Sequence, residues 1–281
     1  MRIDCQHKIS LLAFDLDGTL LNSAGRIFPA HLKIIRGLMK RGVKVTVCSG
    51  RMPYSLREYI LQLGFQGPFV AGNGALVMDS RDDTLLFSKP IADTDVDKLC
   101  TLLGRAGLHT CLQTLEGVYY SRDNPGITRA EGIRELAEKF GLTENRIRFL
   151  TEDYLYLDKH PVYKVAVNMP DGYDFSALTR FLDWQPGLTY AFSDRTFLEI
   201  NARGTNKGHG IQLVADYYGI PMREVCVFGD YDNDIPSFER AGISIAMGNA
   251  SERLKARATY ITDTNDNDGI GKALTALAGC F

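Results

Sequence analysis

The sequence predicts an α/β protein in which a parallel-sheet core domain carries an inserted α+β domain. At both ends of the 281-residue chain, short apolar runs alternate with amphipathic helical patterns, as in a sheet with helical crossovers. The runs are nearly continuous, which is typical of strands buried on both faces of a parallel sheet. Between about residues 85 and 199 the two patterns are mixed. We therefore expect the core in residues 1–84 and 200–281, and the inserted domain in residues 85–199.

The N-terminal part shows the alternation clearly. A strand over residues 9–14 precedes a helix over residues 29–41, in which Pro29 suits the first turn and Gly42 ends the helix. A strand, a helix and a short third strand are then expected over residues 43–48, 53–63 and 69–71.

The C-terminal part repeats this order, and the middle part does not. In the core, helices are expected over residues 207–218, 235–240, 251–257 and 270–278, and strands over 225–228, 243–246 and 260–262. In the inserted domain, helices are expected over residues 93–105 and 129–140, and strands over 118–120, 163–167 and 196–200.

The composition excludes several classes of protein. The chain has 32 Lys and Arg against 34 Asp and Glu, a net charge of -2, so it lacks the basic surface of a nucleic-acid or anionic-membrane binder. No apolar run approaches the roughly 18 residues that span a bilayer, and the first ten residues lack the apolar stretch of a signal peptide. Scattered cysteines without C-x-x-C disfavour a zinc cluster or a disulfide framework. We expect a cytoplasmic monomer or weak homo-oligomer with neither nucleic-acid nor membrane partners.

Two carboxylates follow the first predicted strand. Residues i and i+2 of an extended chain point the same way, so Asp15 and Asp17 can face one site, and Gly18 allows a sharp turn after them. Close carboxylates repel unless a cation lies between them or one is protonated, and such a pair can supply a nucleophile and a proton shuttle. The alternatives are a plain turn and a calcium loop. An EF-hand would need Gly and Glu at positions 20 and 26, which hold Leu and Arg.

A second acidic cluster follows the strand predicted at residues 225–228. It contains Asp230, Asp232 and Asp234. Two acidic strand ends in one parallel sheet can converge on Mg²⁺, a hard cation that takes oxygen ligands. A solvated loop in which Asp234 caps a helix is the alternative.

Two further segments could bind a phosphate. Ser49, Gly50 and Arg51 follow the second strand, where a hydroxyl and backbone N–H groups can hold an anion; a simple loop is the alternative. Lys207 opens a predicted helix, where its charge opposes the helix dipole. An anion bound there would reverse that effect, and a solvent-exposed lysine is the alternative.

Together these segments resemble the motifs of the haloacid dehalogenase-like phosphohydrolases, and specifically their Cof-type branch. The matches, which run in the family's order, are Asp15-Leu16-Asp17-Gly18-Thr19, Ser49-Gly50-Arg51, Asn73-Gly74-Ala75, Lys207, Gly229-Asp230-x-x-Asn233-Asp234 and Asp268-Gly269. Ser49 departs from the pattern, since Thr is frequent there, but both offer a hydroxyl. The resemblance covers the whole chain and implies a Rossmann-like core with a C2-type cap that determines substrate specificity.

The resemblance also implies a mechanism and its residues. Asp15 would be the nucleophile that forms an aspartyl-phosphate, and Asp17 would protonate the leaving alcohol and then activate water. The implied catalytic residues are Asp15, Asp17, Ser49 and Lys207. The implied ligands of a Mg²⁺ cofactor are Asp15, Asp17 through its backbone oxygen, Asp230 and Asp234, the last by orienting the metal's shell. The implied substrate-binding residues are Leu16, Ser49, Gly50, Arg51, Lys207 and Asn233.

The implied partner is a small phosphorylated metabolite of the sugar phosphate, flavin mononucleotide or pyridoxal phosphate class. A phosphosugar mutase of similar architecture and a catalytically silent binding module are the alternatives. Several residues of the inserted domain could contact the leaving group or could belong to that domain's own sheet and core: Tyr119, Tyr120, Arg122, Tyr163 and Arg195.

Overall fold

A computed structural model describes residues 7–122, 124, 147–170 and 172–281 of the chain. The predicted fold class is confirmed: the chain has a parallel-sheet core and a separate, mainly antiparallel sheet. The helix expected over residues 129–140 lies outside the described residues.

Within the described residues, fourteen strands are found. In chain order they are β1 (Leu11–Phe14), β2 (Lys44–Val47), β3 (Pro68–Ala71), β4 (Leu76–Asp79), β5 (Leu85–Ser88), β6 (His109–Gln113), β7 (Val118–Tyr120), β8 (Ile147–Phe149), β9 (Lys164–Asn168), β10 (Leu188–Asp194), β11 (Phe197–Ala202), β12 (Val225–Gly229), β13 (Ile243–Ala246) and β14 (Tyr260–Ile261).

The same residues form eight α-helices. They are α1 (Pro29–Lys40), α2 (Arg57–Leu63), α3 (Asp93–Arg105), α4 (Ser176–Asp183), α5 (Lys207–Tyr217), α6 (Ile235–Phe238), α7 (Glu252–Lys255) and α8 (Gly269–Ala276). None of the helices described is both long and apolar enough to cross a bilayer.

The chain divides into two compact units. The core unit comprises the described residues of Met1–Gly50, Tyr59–Phe87 and Asn206–Phe281. The insert unit comprises those of Arg51–Glu58 and Ser88–Thr205.

A parallel sheet lies at the centre of the core unit, and its described strands follow the order β14-β13-β12-β1-β2. All four residues of β1 are buried, as their continuous apolar sequence predicts. In the register of β1 and β12, Phe14 pairs with Phe228. Because these neighbouring strands run in parallel, the residues that follow them leave the sheet at the same edge.

The third predicted strand, β3, belongs to a different sheet. It pairs antiparallel with β4, and the described part of this sheet has the order β3-β4-β5. A parallel bridge between Cys48 and Val70 connects it to the end of β2. The sequence analysis did not predict β4 or β5.

The insert unit contains a sheet with the described order β10-β11-β9-β6-β7-β8. Its neighbours are antiparallel except β7 and β8, which are parallel. Apolar residues of α3, α4 and the sheet form one buried cluster, which includes Tyr119. Tyr119 therefore belongs to the core of its unit, the alternative that the sequence left open. Tyr120 lies in a smaller buried cluster with Cys111 and Ala166.

The cysteines follow the sequence expectation in part. Cys48 and Cys226 are free and buried, as expected for small core residues. Cys280 is disulfide-bonded, which the scattered spacing did not predict.

Two glycines allow α5 to pack closely against its neighbours. A Cβ atom at position 208 would lie 2.2 Å from the Pro236 carbonyl oxygen, and one at position 210 would lie 2.4 Å from Val70 Cγ1. Real side chains do not tolerate such distances, so both positions require glycine. The first residue of α5, Lys207, is placed by this close packing.

We predict that Gly208→Ala lowers the free energy of unfolding by about 1–3 kcal/mol, because the added methyl overpacks a rigid backbone contact. Gly37→Ala is the matched control, since Gly37 lies in α1 with nothing within 4 Å of the added Cβ. It should raise stability by about 0.5–1 kcal/mol through helix propensity alone. Urea unfolding measures both. Equal stabilities for the two variants would show that α5 does not pack as tightly as described.

Candidate active site

The predicted acidic residues converge at the carboxyl ends of β1 and β12. Asp15 directly follows β1, and Asp230 and Asp234 follow β12. Carboxylate oxygens of these three residues all lie within 4.8 Å of one another. The two acidic segments are more than 200 residues apart in the sequence, and the parallel pairing of their strands brings them together.

Lys207 lies between two of these carboxylates. Its Nζ atom is 2.7 Å from Asp15 Oδ1 and 2.7 Å from Asp234 Oδ1. The side chain is 1% exposed, so the alternative of a solvent-exposed lysine is excluded. Burying an ammonium is costly unless carboxylates surround it, and here two of them do.

Asp234 orients the loop that carries Asp230. Its Oδ2 atom accepts hydrogen bonds from the backbone N–H groups of Asp230, at 3.0 Å, and Tyr231, at 3.2 Å. Its Oδ1 atom accepts from Lys207. The residue caps a turn, as one alternative expected, but it is buried rather than solvated. Each carboxylate oxygen of Asp234 thus has a hydrogen-bond partner.

Gly18 lets the chain pass close to Asp230. Its φ angle is +72°, and a Cβ atom there would lie 2.2 Å from Asp230 Oδ2, so no other residue fits. The next residue, Thr19, donates its hydroxyl hydrogen to Asp230 Oδ1 at 3.1 Å. Asp17, just before the turn, is extended and half-buried, so it is more accessible than Asp15.

The site has strongly perturbed electrostatics. Burial raises the pKa of Asp15 well above its ordinary value; Lys207 opposes this shift, and Asp234 and Asp230 add to it. Burial and the Asp234 carboxylate raise the pKa of Asp230 to about 7. Burial disfavours the Lys207 ammonium, but the charges of Asp15 and Asp234 outweigh it and raise the pKa of Lys207.

These residues fit a divalent cation. Three close carboxylates supply oxygen ligands, the donors that Mg²⁺ and Ca²⁺ prefer, and they share the single positive charge of Lys207. Like charges at this separation raise one another's pKa, and a cation would relieve that repulsion. The perturbed pKa of Asp230 is therefore what a cation site shows when no cation screens it.

Ser49 and Asn233 lie in the same unit, and both are buried. The backbone N–H of Ser49 donates to the Val70 carbonyl at 3.1 Å, and its carbonyl accepts from Asn73 N–H at 3.0 Å. Both backbone polar groups of Ser49 thus have protein partners. The side chain of Asn233 donates to Asn73 Oδ1 at 3.5 Å.

The other predicted substrate-binding residues are placed differently. Leu16 is fully buried beside Asp15 in the chain, so its backbone is the part that could contact substrate. Gly50 ends a segment of the core unit, whereas Arg51 belongs to the insert unit.

The chain is similar to known proteins over nearly its whole length. A family model described as haloacid dehalogenase-like hydrolase matches residues 12–274. The chain belongs to this family. The resemblance seen in the motifs is thereby confirmed.

Proteins that are related to this hydrolase are named as phosphatases. A 5-amino-6-(5-phospho-D-ribitylamino)uracil phosphatase of Bacillus subtilis is 29% identical, over 95% of this chain and 94% of its own length. A pyridoxal phosphate phosphatase of Escherichia coli is 24% identical, over 93% and 96%. A solved haloacid dehalogenase-like hydrolase from B. subtilis shares the fold, with a TM-score of 0.83, 23% identity and coverage of 95% of this chain and 99% of that chain. The chain is an enzyme, a phosphoric monoester hydrolase.

Two residues of the hydrolase site were not predicted as site residues. Thr19 holds Asp230 through its hydroxyl, and Asn73 contacts Asn233 and Ser49. Both lie in motifs that the sequence analysis quoted. Asn73 has a φ angle of +57°. In the sequence, an asparagine between two glycines was the signal that could have marked this left-handed turn.

We predict that Asp230→Asn stabilises the metal-free hydrolase, because it removes one of three buried like charges and keeps an oxygen acceptor for Thr19. The folded-state pKa of about 7 exceeds the ordinary value of 3.8, so the wild type loses stability as pH rises from about 4 to 7. The variant's advantage should be smallest at pH 5, grow to a Tm difference of a few degrees at pH 7, and level off above.

Thermal unfolding in EDTA at pH 5, 7 and 8 measures this difference. Added MgCl₂ should raise the Tm of the wild type and should raise that of the variant much less. A variant that is less stable than the wild type in EDTA at pH 8, or that gains equally from MgCl₂, would contradict the cation-site interpretation.

Proposed function

We propose that the chain is a Mg²⁺-dependent phosphatase that hydrolyses small phosphate monoesters through an aspartyl-phosphate on Asp15. The observation that supports this most strongly is the buried cluster at the sheet edge. There, the carboxylates of Asp15, Asp230 and Asp234 lie within 4.8 Å of one another, and Lys207 is 2.7 Å from two of them.

Asp15 acts as the nucleophile in this mechanism. A carboxylate oxygen of Asp15 attacks phosphorus, the bond from phosphorus to the ester oxygen breaks, and its electron pair goes to the leaving alcohol. Lys207 holds Asp15 Oδ1 at 2.7 Å, which fixes the carboxylate. The ammonium also favours the ionised, nucleophilic form against the effect of burial.

Asp17 acts as the general acid and base. It gives its proton to the leaving oxygen, and in the second step it accepts a proton from the water that attacks phosphorus and releases Asp15. It lies two residues after Asp15, immediately before the turn at Gly18. Its partial exposure suits a group that must meet both a leaving group and a water molecule.

The phosphoryl oxygens are bound by Lys207, the Ser49 hydroxyl and Asn233, with backbone contacts from Leu16 and Gly50 and a further contact from Arg51. The carboxylates of Asp15 and Asp230 and the backbone oxygen of Asp17 would hold the metal, and Asp234 would orient its shell. Bound Mg²⁺ supplies positive charge that offsets the repulsion between the carboxylates and a phosphate dianion.

The names of the relatives support the proposed substrate class. They are named for a phosphorylated ribitylaminouracil and for pyridoxal phosphate, and each aligns over more than nine-tenths of both chains. We place the substrate among small phosphorylated metabolites: sugar phosphates, flavin mononucleotide and pyridoxal phosphate. The cytoplasmic location and the monomeric or weakly oligomeric state stay predictions.

We predict that the wild type hydrolyses p-nitrophenyl phosphate in MgCl₂ and loses nearly all activity in EDTA. Asp15→Asn keeps the shape of the side chain and its contact with Lys207 but removes the nucleophile, so kcat should fall by at least about 10³-fold. The release of p-nitrophenolate measures both effects.

Asp216→Asn is the control for this substitution. Asp216 is exposed on α5 and pairs with Gln212, so its variant should retain wild-type turnover. Substantial turnover by the wild type in EDTA would contradict the metal requirement. Substantial turnover by Asp15→Asn would contradict the aspartyl-phosphate intermediate.

We also expect kcat/KM for one of the phosphorylated metabolites to exceed that for p-nitrophenyl phosphate by about 10-fold or more, because substrate binding away from phosphorus contributes to the transition state. Inorganic phosphate should appear in the same amount as the substrate lost. Conversion to an isomeric phosphate that needs a bisphosphorylated activator would instead reveal a mutase.

A further inference from the structure

The side chain of Asn249 connects two segments beside the site. Its Nδ2 atom donates to the Gly18 carbonyl oxygen at 2.8 Å, and its Oδ1 atom accepts from the backbone N–H of Asn265 at 3.0 Å. Both ends of the amide are therefore engaged. Asn249 follows β13, three residues after the strand ends at Ala246.

The segment that Asn249 holds needs an external anchor. Gly18 adopts φ +72° against Asp230 and carries no side chain, so only its backbone can be fixed. Within the turn, the Leu20 N–H donates to the Asp15 carbonyl at 3.3 Å and the Leu21 N–H to the Leu16 carbonyl at 2.9 Å. In the chain, Gly18 lies between the residues that form these two bonds, and its carbonyl is the group that Asn249 contacts.

A second amide extends the same connection. Asn265 donates through Nδ2 to the Leu21 carbonyl at 2.9 Å, while its backbone N–H donates to Asn249. The two amides hold carbonyls three residues apart in one turn. Rotation of the Gly18 peptide would break the first contact and strain the second.

The loop that carries Asn249 is itself fixed to the metal-binding segment. The Met247 N–H donates to the Gly229 carbonyl at 3.0 Å, and the Ser251 N–H donates to the Asp230 carbonyl at 2.9 Å. Asn249 therefore connects the segment that carries Asp230 to the turn that follows Asp17. The position of Asp17 relative to the cluster depends on this connection.

We propose that Asn249 is a positioning residue for Asp17: by fixing the Gly18 peptide, it aims the acid at the leaving oxygen. This inference rests on the proposed function, in which Asp17 protonates the leaving alcohol. Asn249 is exposed, so water competes for its hydrogen bonds and their contribution to stability is small. Its effect is on geometry, where small displacements of a catalytic group cost much of the rate.

The test compares two substrates that differ in their need for the acid. An alkyl phosphate, β-glycerophosphate, requires protonation of its leaving oxygen, whereas p-nitrophenolate leaves without it. The measured quantity is kcat/KM, which covers the steps up to formation of the aspartyl-phosphate. Asn249→Ala should lower it about 10-fold or more for β-glycerophosphate and less than about 3-fold for p-nitrophenyl phosphate, with Tm nearly unchanged.

Two further variants refine the test. Asn249→Asp keeps the shape and the acceptor for the Asn265 N–H but cannot donate to Gly18, so it should match Asn249→Ala. Asn267→Ala is the control, because Asn267 is an exposed amide of the neighbouring loop that contacts Asp263; it should leave both substrates unaffected.

Each outcome separates the inference from the function on which it rests. Equal losses on the two substrates, or no loss on either, would overturn the role of Asn249 and leave the phosphatase intact. Asp17→Asn must show the same preferential loss, and more strongly. If the wild type hydrolyses neither substrate in MgCl₂, the proposed function fails, and the inference fails with it.

Discussion

The rest of the site depends on one buried ammonium group. Lys207 contacts Asp15 and Asp234 at 2.7 Å each, and these residues follow β1 and β12 while Lys207 begins α5. The two carboxylates offset the cost of burying the lysine, and the lysine reduces the repulsion between them. The interaction thus fixes two strand ends and one helix start relative to each other. The proposed binding of substrate and metal would use the same charges.

The backbone makes this convergence of charges possible. Gly208 and Gly210 bring α5 close to Pro236 and Val70, and Gly18 brings the first acidic segment against Asp230. A methyl group at any of these positions would overlap an atom already there. The remaining excess of negative charge raises the pKa of Asp15 and Asp230, so the metal-free fold carries a destabilising feature that its function explains. Natural active sites commonly combine such instability with a rigid scaffold.

Sequence patterns predicted elements that show a continuous apolar run or a strong helical stripe. β1, β13 and α3 lie at or within two residues of their predicted bounds, because a continuous apolar run or a strong helical stripe reflects burial directly. β5 is mostly exposed and β10 is mostly half-buried, so neither shows a clear alternation, and both were missed. β4 follows a turn in which Asn73 has a left-handed backbone conformation, so the sequence at the start of β4 resembles that of a loop. The smaller sheet of the core unit was therefore not predicted.

Site residues were predictable from the sequence where they directly follow a predicted strand. They were not predictable where their role depends on a contact with a residue far away in the sequence. Asp15 and Asp230 follow apolar runs, so their convergence follows from parallel pairing alone. The Thr19 hydroxyl donates to the Asp230 carboxylate and the Asn249 amide donates to the Gly18 carbonyl, each across more than 200 residues, and no local pattern in the sequence marks such pairs. Strand order supplies the missing information: β13 pairs with β12 so that Ala246 lies beside Gly229. The residues after β13 must then emerge at the acidic edge, which is where Asn249 contacts the turn that carries Asp17.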